Sequence, residues 1–373
     1  MEALTLLVHN IFSFVVILSA IVFIHEYGHY WVAKRCGVKI ESFSIGFGRE
    51  IFGWTNKSGT RWKIGWAPLG GYVKMFGDSS AASTPDNEKI KTMTEEEKGQ
   101  AFYYKKLYQR FLIVLAGPAA NFITAIVILS FFFAVYGRPE TKPIIEVVMK
   151  DSAADEIGLR PGDEITELDG KKITRFEQIK GVVSLNPDIA IDIKYIRNGK
   201  EVLAKITPKS HETKDIFGDV TKIGLIGVSS TIADFKKLPV PQAMVASVEE
   251  TYDICDKTMK ALGQMILGQR SAQDISGILR IADYSGKSVD QGIKMVFWFV
   301  AILSINLGLV NLFPIPMLDG GHLFFYLIEA LRGRPLSEKT QEYFFRFGFL
   351  LLMSLMLFAT FNDLRHFNII KLP

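Results

Sequence analysis

Residues 5–29 read Thr5-Leu-Leu-Val-His-Asn-Ile-Phe-Ser-Phe-Val-Val-Ile-Leu-Ser-Ala-Ile-Val-Phe-Ile24-His25-Glu26-Tyr27-Gly28-His29. The part up to Ile24 carries no formal charge unless His9 is protonated, and about 20 such residues in a helix cross the roughly 30 Å apolar core of a bilayer. No Lys or Arg precedes the run, Glu2 is acidic, and no small-residue cleavage site follows. It therefore reads as a retained span and not as a cleaved signal peptide. The whole chain agrees: 373 residues, 49% hydrophobic, 22% charged and 28 Phe exclude a disordered chain. A net charge of +4, spread along the chain, calls for no nucleic-acid partner. Two cysteines exclude a disulfide framework.

Three further apolar runs lie at 111–136, 295–313 and 347–361. The last is short, but extending it back to Tyr343 adds only Arg346 near an end, where it can snorkel. Four spans put both termini on one side. Lys34, Arg35, Lys39, Lys105, Lys106 and Arg110 flank the first connection, and Arg332, Arg334 and Lys339 the third. The positive-inside bias makes both connections cytoplasmic and turns residues 138–292 outward with the termini. Cys36 and Cys255 then face opposite sides and cannot pair.

The expected fold is a polytopic α-helical membrane protein with four transmembrane helices, a membrane-associated β-hairpin and one external α+β PDZ domain. By residue, a first transmembrane helix occupies 1–34 and a cytoplasmic-side segment 35–106, with the hairpin at 60–77. The second transmembrane helix takes 107–137, the PDZ domain 138–233, and an external amphipathic segment 234–292. The third span takes 293–321, a cytoplasmic connection 322–342, and the fourth helix with a short external tail 343–373.

His25-Glu26-Tyr27-Gly28-His29 is an H-E-x-x-H. On a helix, positions i and i+4 share a face, so both imidazoles reach one ion. Glu26 stands beside them, placed to take a proton from a water on the metal. Zinc suits the set, with three protein ligands and an open fourth position. Two His and a Glu at the end of an apolar span would be costly without a shared purpose. For the third ligand, His322 lies at a plausible depth, but Asn311-Leu-Phe-Pro314-Ile-Pro316-Met-Leu-Asp319-Gly-Gly is more suggestive. Spans one and three run in the same direction, and His25 and Asp319 come at similar distances from their starts. The two prolines break the helix at a depth where irregular backbone is tolerated only around a protein-lined cavity. Asp319 is thus the natural carboxylate ligand, the alternative being an Asp that caps a helix starting at Gly320.

These stretches, with Gly117-Pro118-Ala119-Ala120-Asn121 in the second span, Ile64–Met75 and Phe361-Asn362-Asp363-Leu364, together resemble the site-2 protease family. The resemblance runs over most of the chain. It implies an intramembrane metalloprotease (regulated intramembrane proteolysis) with one zinc on His25, His29 and Asp319, and with Glu26 as catalytic base. Asn311 and Pro314 would help bind unwound substrate. The implied substrates are pre-cut single-span proteins of the anti-sigma-factor type and remnant signal peptides. The implied place is the bacterial inner membrane, with the PDZ domain and both termini periplasmic and the lipid bilayer as solvent. Two departures stand out: one PDZ copy is visible where enterobacterial members carry two, and Ser276-Gly277-Ile278-Leu279 has Ile278 where the family has Pro.

Between the spans, Trp62, Ile64 and Trp66 alternate with small or polar residues before Pro68-Leu69-Gly70-Gly71, which reads as a hairpin turn. Such an edge can hold an extended substrate by strand addition, with Gly70 and Gly71 against it. Residues 78–100 read as a polar loop. Ala153 to Gly170 resembles the permuted bacterial PDZ signature, with backbone N–H groups at Gly158 and Leu159 available to a peptide carboxylate. Peptide binding and size filtering both fit that domain. Met244, Val248, Tyr252, Cys255, Met259, Leu262 and Ile266 form one helical stripe, which suits a helix on the membrane surface, a clamp on the PDZ domain, or plain packing. Two other readings of the whole are a membrane anchor carrying a soluble H-E-x-x-H domain, and a catalytically idle scaffold or metal-binding protein.

Overall fold

The computed structural model describes residues 2–78, 92–139, 141–214, 220–230, 235–367 and 369–370. Its main elements in chain order are α1 (Glu2–Arg35), β1 (Ile40–Thr55), β2 (Arg61–Met75), α2 (Leu107–Val135), β3 (Glu164–Leu168), β4 (Lys171–Lys172) and α3 (Phe176–Val183). There follow β5 (Ile191–Arg197), β6 (Lys200–Ile206), α4 (Val240–Ile266), α5 (Ile278–Asp290), α6 (Ile293–Asn311), α7 (Asp319–Arg332) and α8 (Glu338–His366). Two compact units result, residues 1–128 with 272–373, and residues 129–271.

In the first unit, Leu4–Arg35 of α1, α2, α6 and Lys339–His366 of α8 are long and apolar enough to cross a membrane. Phe12, Val16, Val127, Phe347 and Leu357 point outward, while Asn10, Ser13, Asn121, Ser304 and Asp363 are buried. A lipid solvent asks for that arrangement: the apolar outside faces hydrocarbon, and polar side chains find partners inside. Asn10 Nδ2 on α1 donates to Asp283 Oδ1 on α5 at 3.0 Å.

Asp363, fully buried on α8, closes the N-terminus of α5. Its carboxylate accepts the N–H of Gly277 at 2.8 Å, of Leu279 at 3.0 Å and of Arg280 at 3.2 Å, and Arg280 Nε at 3.1 Å. The N–H of Ile278 takes no part in this set. Ile278 is the first residue of α5, where a backbone N–H has no partner within the helix and proline is at home. Having Ile where the family has Pro therefore breaks no bond.

Several sequence expectations change. The hairpin turn is at 56–60 and not at Pro68–Gly71, which lies inside β2. Asn56 Oδ1 accepts from the N–H groups of Ser58 and Thr60, both at 3.0 Å, and Gly59 takes a positive φ of 81°, which makes a tight turn there. Both strands bend, so residues 40–45 pair with 71–75 on one side, and residues 42–45 pair with 61–64 on the other. The expected connection 322–342 is mostly helix α7, and α8 starts at Glu338 ahead of Tyr343. In the expected loop 78–100, Glu95–Gln100 is helical with a Thr94–Glu97 capping box, while 79–91 lie outside the described residues. The amphipathic segment holds a second helix, α5, grouped with the first unit.

The second unit carries a four-stranded sheet in the order β4-β3-β5-β6. Ile145, Ile165, Leu168, Ile193 and Ile206 are fully buried on it, and α3 adds Ile179, Val182 and Val183. The β5–β6 hairpin turns at Asn198-Gly199, both with positive φ, the usual chemistry of a two-residue turn. Burial alone would raise the Asp163 carboxyl, but Arg197, which binds it through Nε at 2.8 Å and Nη2 at 2.7 Å, and the Arg160 N–H hold it below the ordinary carboxylate value. Helix α4 is tied to this sheet by a Lys171–Asp256 ion pair, by Lys260 to Asp169 at 2.8 Å, and by Gln264 to Asn186 at 3.0 Å. Its buried side is small, made of Ala243, Ala246, Ser247 and Thr251. Of the expected stripe, Met244, Val248, Tyr252, Met259 and Ile266 are exposed, while Cys255 and Leu262 are half-buried.

Candidate metal centre

Helix α1 presents His25 and His29 one turn apart, both buried. The break after Asn311 lets the chain turn at Met317, held at a φ of 84° that a non-glycine residue seldom adopts, before α7 begins. Asp319 is the first residue of α7, and its Oδ2 lies 3.1 Å from His25 Nε2 and 3.4 Å from His29 Nε2. The two Nε2 atoms are 3.2 Å apart. The helix-cap alternative for Asp319 does not hold, because Leu318 is the N-cap and the buried Oδ2 makes no hydrogen bond.

This triangle fits a zinc ion. Tetrahedral bonds of about 2.0–2.1 Å to nitrogen and oxygen separate ligand atoms by about 3.3–3.4 Å. Three potential ligand atoms crowd together here, one of them a buried carboxylate oxygen that meets no hydrogen-bond geometry, and a shared cation would satisfy all three. Among the described residues, His25, His29 and Asp319 are the one group of three such ligands able to share an ion. His322, one turn along α7 from Asp319, is outside that set but faces the same space.

That space is a cavity of about 410 Å³. Glu26 lines it beside the ligands, as do Asn311, Gly70 and Gly71, whereas Pro314 does not. At Gly71 a Cβ would meet Glu26 Cγ, Val22 and the Ser44 carbonyl within 2.9 Å, so only glycine lets β2 pass this close to the glutamate. Gly158 and Leu159, in the other unit, carry a correction. Their N–H groups already donate to the carbonyls of Asp155 and Ala154, both at 2.9 Å, and so are not free for a carboxylate.

Helix α2 supplies contacts that spacing alone does not announce. His29 Nδ1 lies 2.9 Å from the Ile113 carbonyl oxygen, and Asn121 meets His25 from the other side. Any side chain at Gly117 would press directly on His29 Nε2. Gly117 and Asn121 belong to the Gly117–Asn121 stretch that carries part of the family resemblance, but which of its residues meet the histidines only three-dimensional proximity reveals.

Comparison with known proteins adds a family. The model of peptidase family M50 matches residues 13–355. A protein of Agrobacterium fabrum named as a zinc metalloprotease is 41% identical over 98% of each chain. One of the same name type from Rhizobium meliloti is 40% identical over 95% of this chain and 96% of its own. The metalloprotease MmpA of Caulobacter vibrioides is 35% identical over 96% of each.

Proposed function

The chain belongs to peptidase family M50 and is a membrane metalloendopeptidase, and we propose that it cuts within the membrane segment of its substrate. The metal is zinc, on His25, His29 and Asp319. One observation carries the reading: the ligand histidines and Glu26 lie inside the Leu4–Arg35 stretch of α1, itself long and apolar enough to span a bilayer. A substrate must then bring its peptide bond to membrane depth, which suits a single-span protein already trimmed by another protease. Anti-sigma factors and remnant signal peptides are of that kind. We place it in a bacterial inner membrane, its named relatives being bacterial, with the termini and residues 138–233 facing the periplasm, an orientation the positive-inside bias supports.

When bound, zinc supplies Lewis acidity toward a peptide carbonyl and toward water. Glu26 takes the proton of the attacking water and returns it to the departing amine. Glu26 is buried beside the ligands with β2 closed over it at Gly71, which fixes where that proton is carried. Asn311 and the Gly70–Gly71 strand line the same cavity and bind the unwound chain, the strand by main-chain pairing. Residues 138–233 act as a PDZ-like domain that filters by size; the occupied N–H groups at Gly158 and Leu159 favour that role over capture of a peptide end.

The test uses the full chain in liposomes with a single-span substrate. Glu26→Gln should keep stoichiometric zinc and lower turnover by about 10²–10⁴-fold or more, while Asp319→Ala should lose the metal. Undiminished turnover in Glu26→Gln removes Glu26 from the mechanism. Cleavage confined to soluble loops of the substrate overturns the intramembrane reading.

A further inference from the structure

The two ligand histidines are held differently at their outward nitrogens. His29 Nδ1 faces a carbonyl oxygen, which can only accept, so its proton sits on Nδ1 and Nε2 keeps a lone pair. His25 Nδ1 lies 3.1 Å from Asn121 Nδ2, and the other amide atom, Asn121 Oδ1, is buried without any hydrogen-bond partner. Asn121 is fully enclosed, and its main-chain carbonyl accepts from Ser304 Oγ on α6 at 3.0 Å. Its side chain is thus fixed in place, with only the choice of which amide atom faces His25.

That choice has chemical consequences. An amide N–H donated to His25 Nδ1 would drive the imidazole proton to Nε2, straight into the 3.1–3.4 Å triangle with His29 and Asp319. A protonated Nε2 cannot ligate. Turning the amide by half a revolution leaves its shape unchanged and exchanges nitrogen for oxygen. We propose that Asn121 accepts the Nδ1–H of His25 through Oδ1, and is the positioning residue that holds His25 in the tautomer able to bind the metal. Oδ1 then accepts from His25, the amide nitrogen takes the place the oxygen leaves, and both histidines carry the same kind of outer partner, a carbonyl-type acceptor of Nδ1–H. Acceptors of that kind orient a ligating imidazole and raise its basicity. The inference rests on reading this site as a zinc centre.

Zinc affinity of the detergent-solubilised full chain, measured by chelator competition, tests it without reference to turnover. Asn121→Leu keeps the volume and removes the acceptor, and should weaken zinc about 10–100-fold. Asn121→Asp can accept but never donate, and should stay within a few-fold of the wild type. Unchanged affinity in Asn121→Leu overturns the proposal, and so does an Asn121→Asp as weak as Asn121→Leu. Should either variant misfold, 15N-histidine spectra of the zinc-loaded wild type decide. Two metal-bound imidazoles protonated at Nδ1 are expected, and only one overturns the assignment. His25→Ala separates the two levels of argument: zinc retained there sinks the centre itself, whereas zinc lost there with Asn121→Leu unaffected sinks only the role of Asn121.

Discussion

The two units of this chain solve burial in opposite ways. In residues 129–271 the core is mainly Ile, Val, Leu and Ala, with Ile165, Ile193 and Ile206 fully enclosed, and the buried charges Asp163 and Arg138 are held in ion pairs. In the helical unit an apolar cluster around Phe43 and Ile113 is joined inside by polar residues, among them His25, Glu26, Asn121, Ser304 and Asp363, while Phe12, Val127 and Leu357 face out. The first is the behaviour of a domain driven together by water. The second cannot be, since a lipid surround gains little by covering apolar surface, and specific polar partners and close helix contacts hold it instead. The lesson is that in the helical unit the same interactions that hold the fold also assemble the site.

The contrast can be broken at chosen residues, in decreasing order of effect. Asp363→Ala strands Arg280 and three backbone donors at the start of α5 and should cost about 3–5 kcal/mol. Thermal unfolding in detergent reads this, and a loss under 1 kcal/mol would mean α5 is held by other means. Ile193→Val in the β unit should cost about 0.5–1.5 kcal/mol, as for one methylene removed from a packed core. Chemical denaturation of the full chain followed by a probe in that unit would detect it. Val127→Ala on the outward face of α2 should change stability by less than about 0.5 kcal/mol in detergent. A loss as large as that of Ile193→Val would show that Val127 is covered by something other than lipid.

Legibility from sequence followed the range of the contacts. The His25–His29 pair is legible because four residues on a helix guarantee a shared face, and Asp319 because counting along parallel spans estimates depth. Asn121 sits 96 positions from His25, and nothing in the apolar run around it marks which face meets the histidines. The turn at 56–60 is legible in Asn56, Ser58 and Gly59, but Pro68-Leu69-Gly70-Gly71 carries the stronger turn signal and still lies inside a strand. Those glycines serve close approach and not chain reversal, and the two uses look identical in a string of letters. Likewise, the stripe on α4 shows that one apolar face exists, but periodicity is silent on whether anything covers it.

The two halves of the metal centre are separated by about 290 residues of chain. At roughly 5–20 residues per second of translation, His29 leaves the ribosome about 15–60 s before Asp319 does. Throughout that interval the nascent chain holds only two of the three ligands, so the centre can close only once α7 has been made.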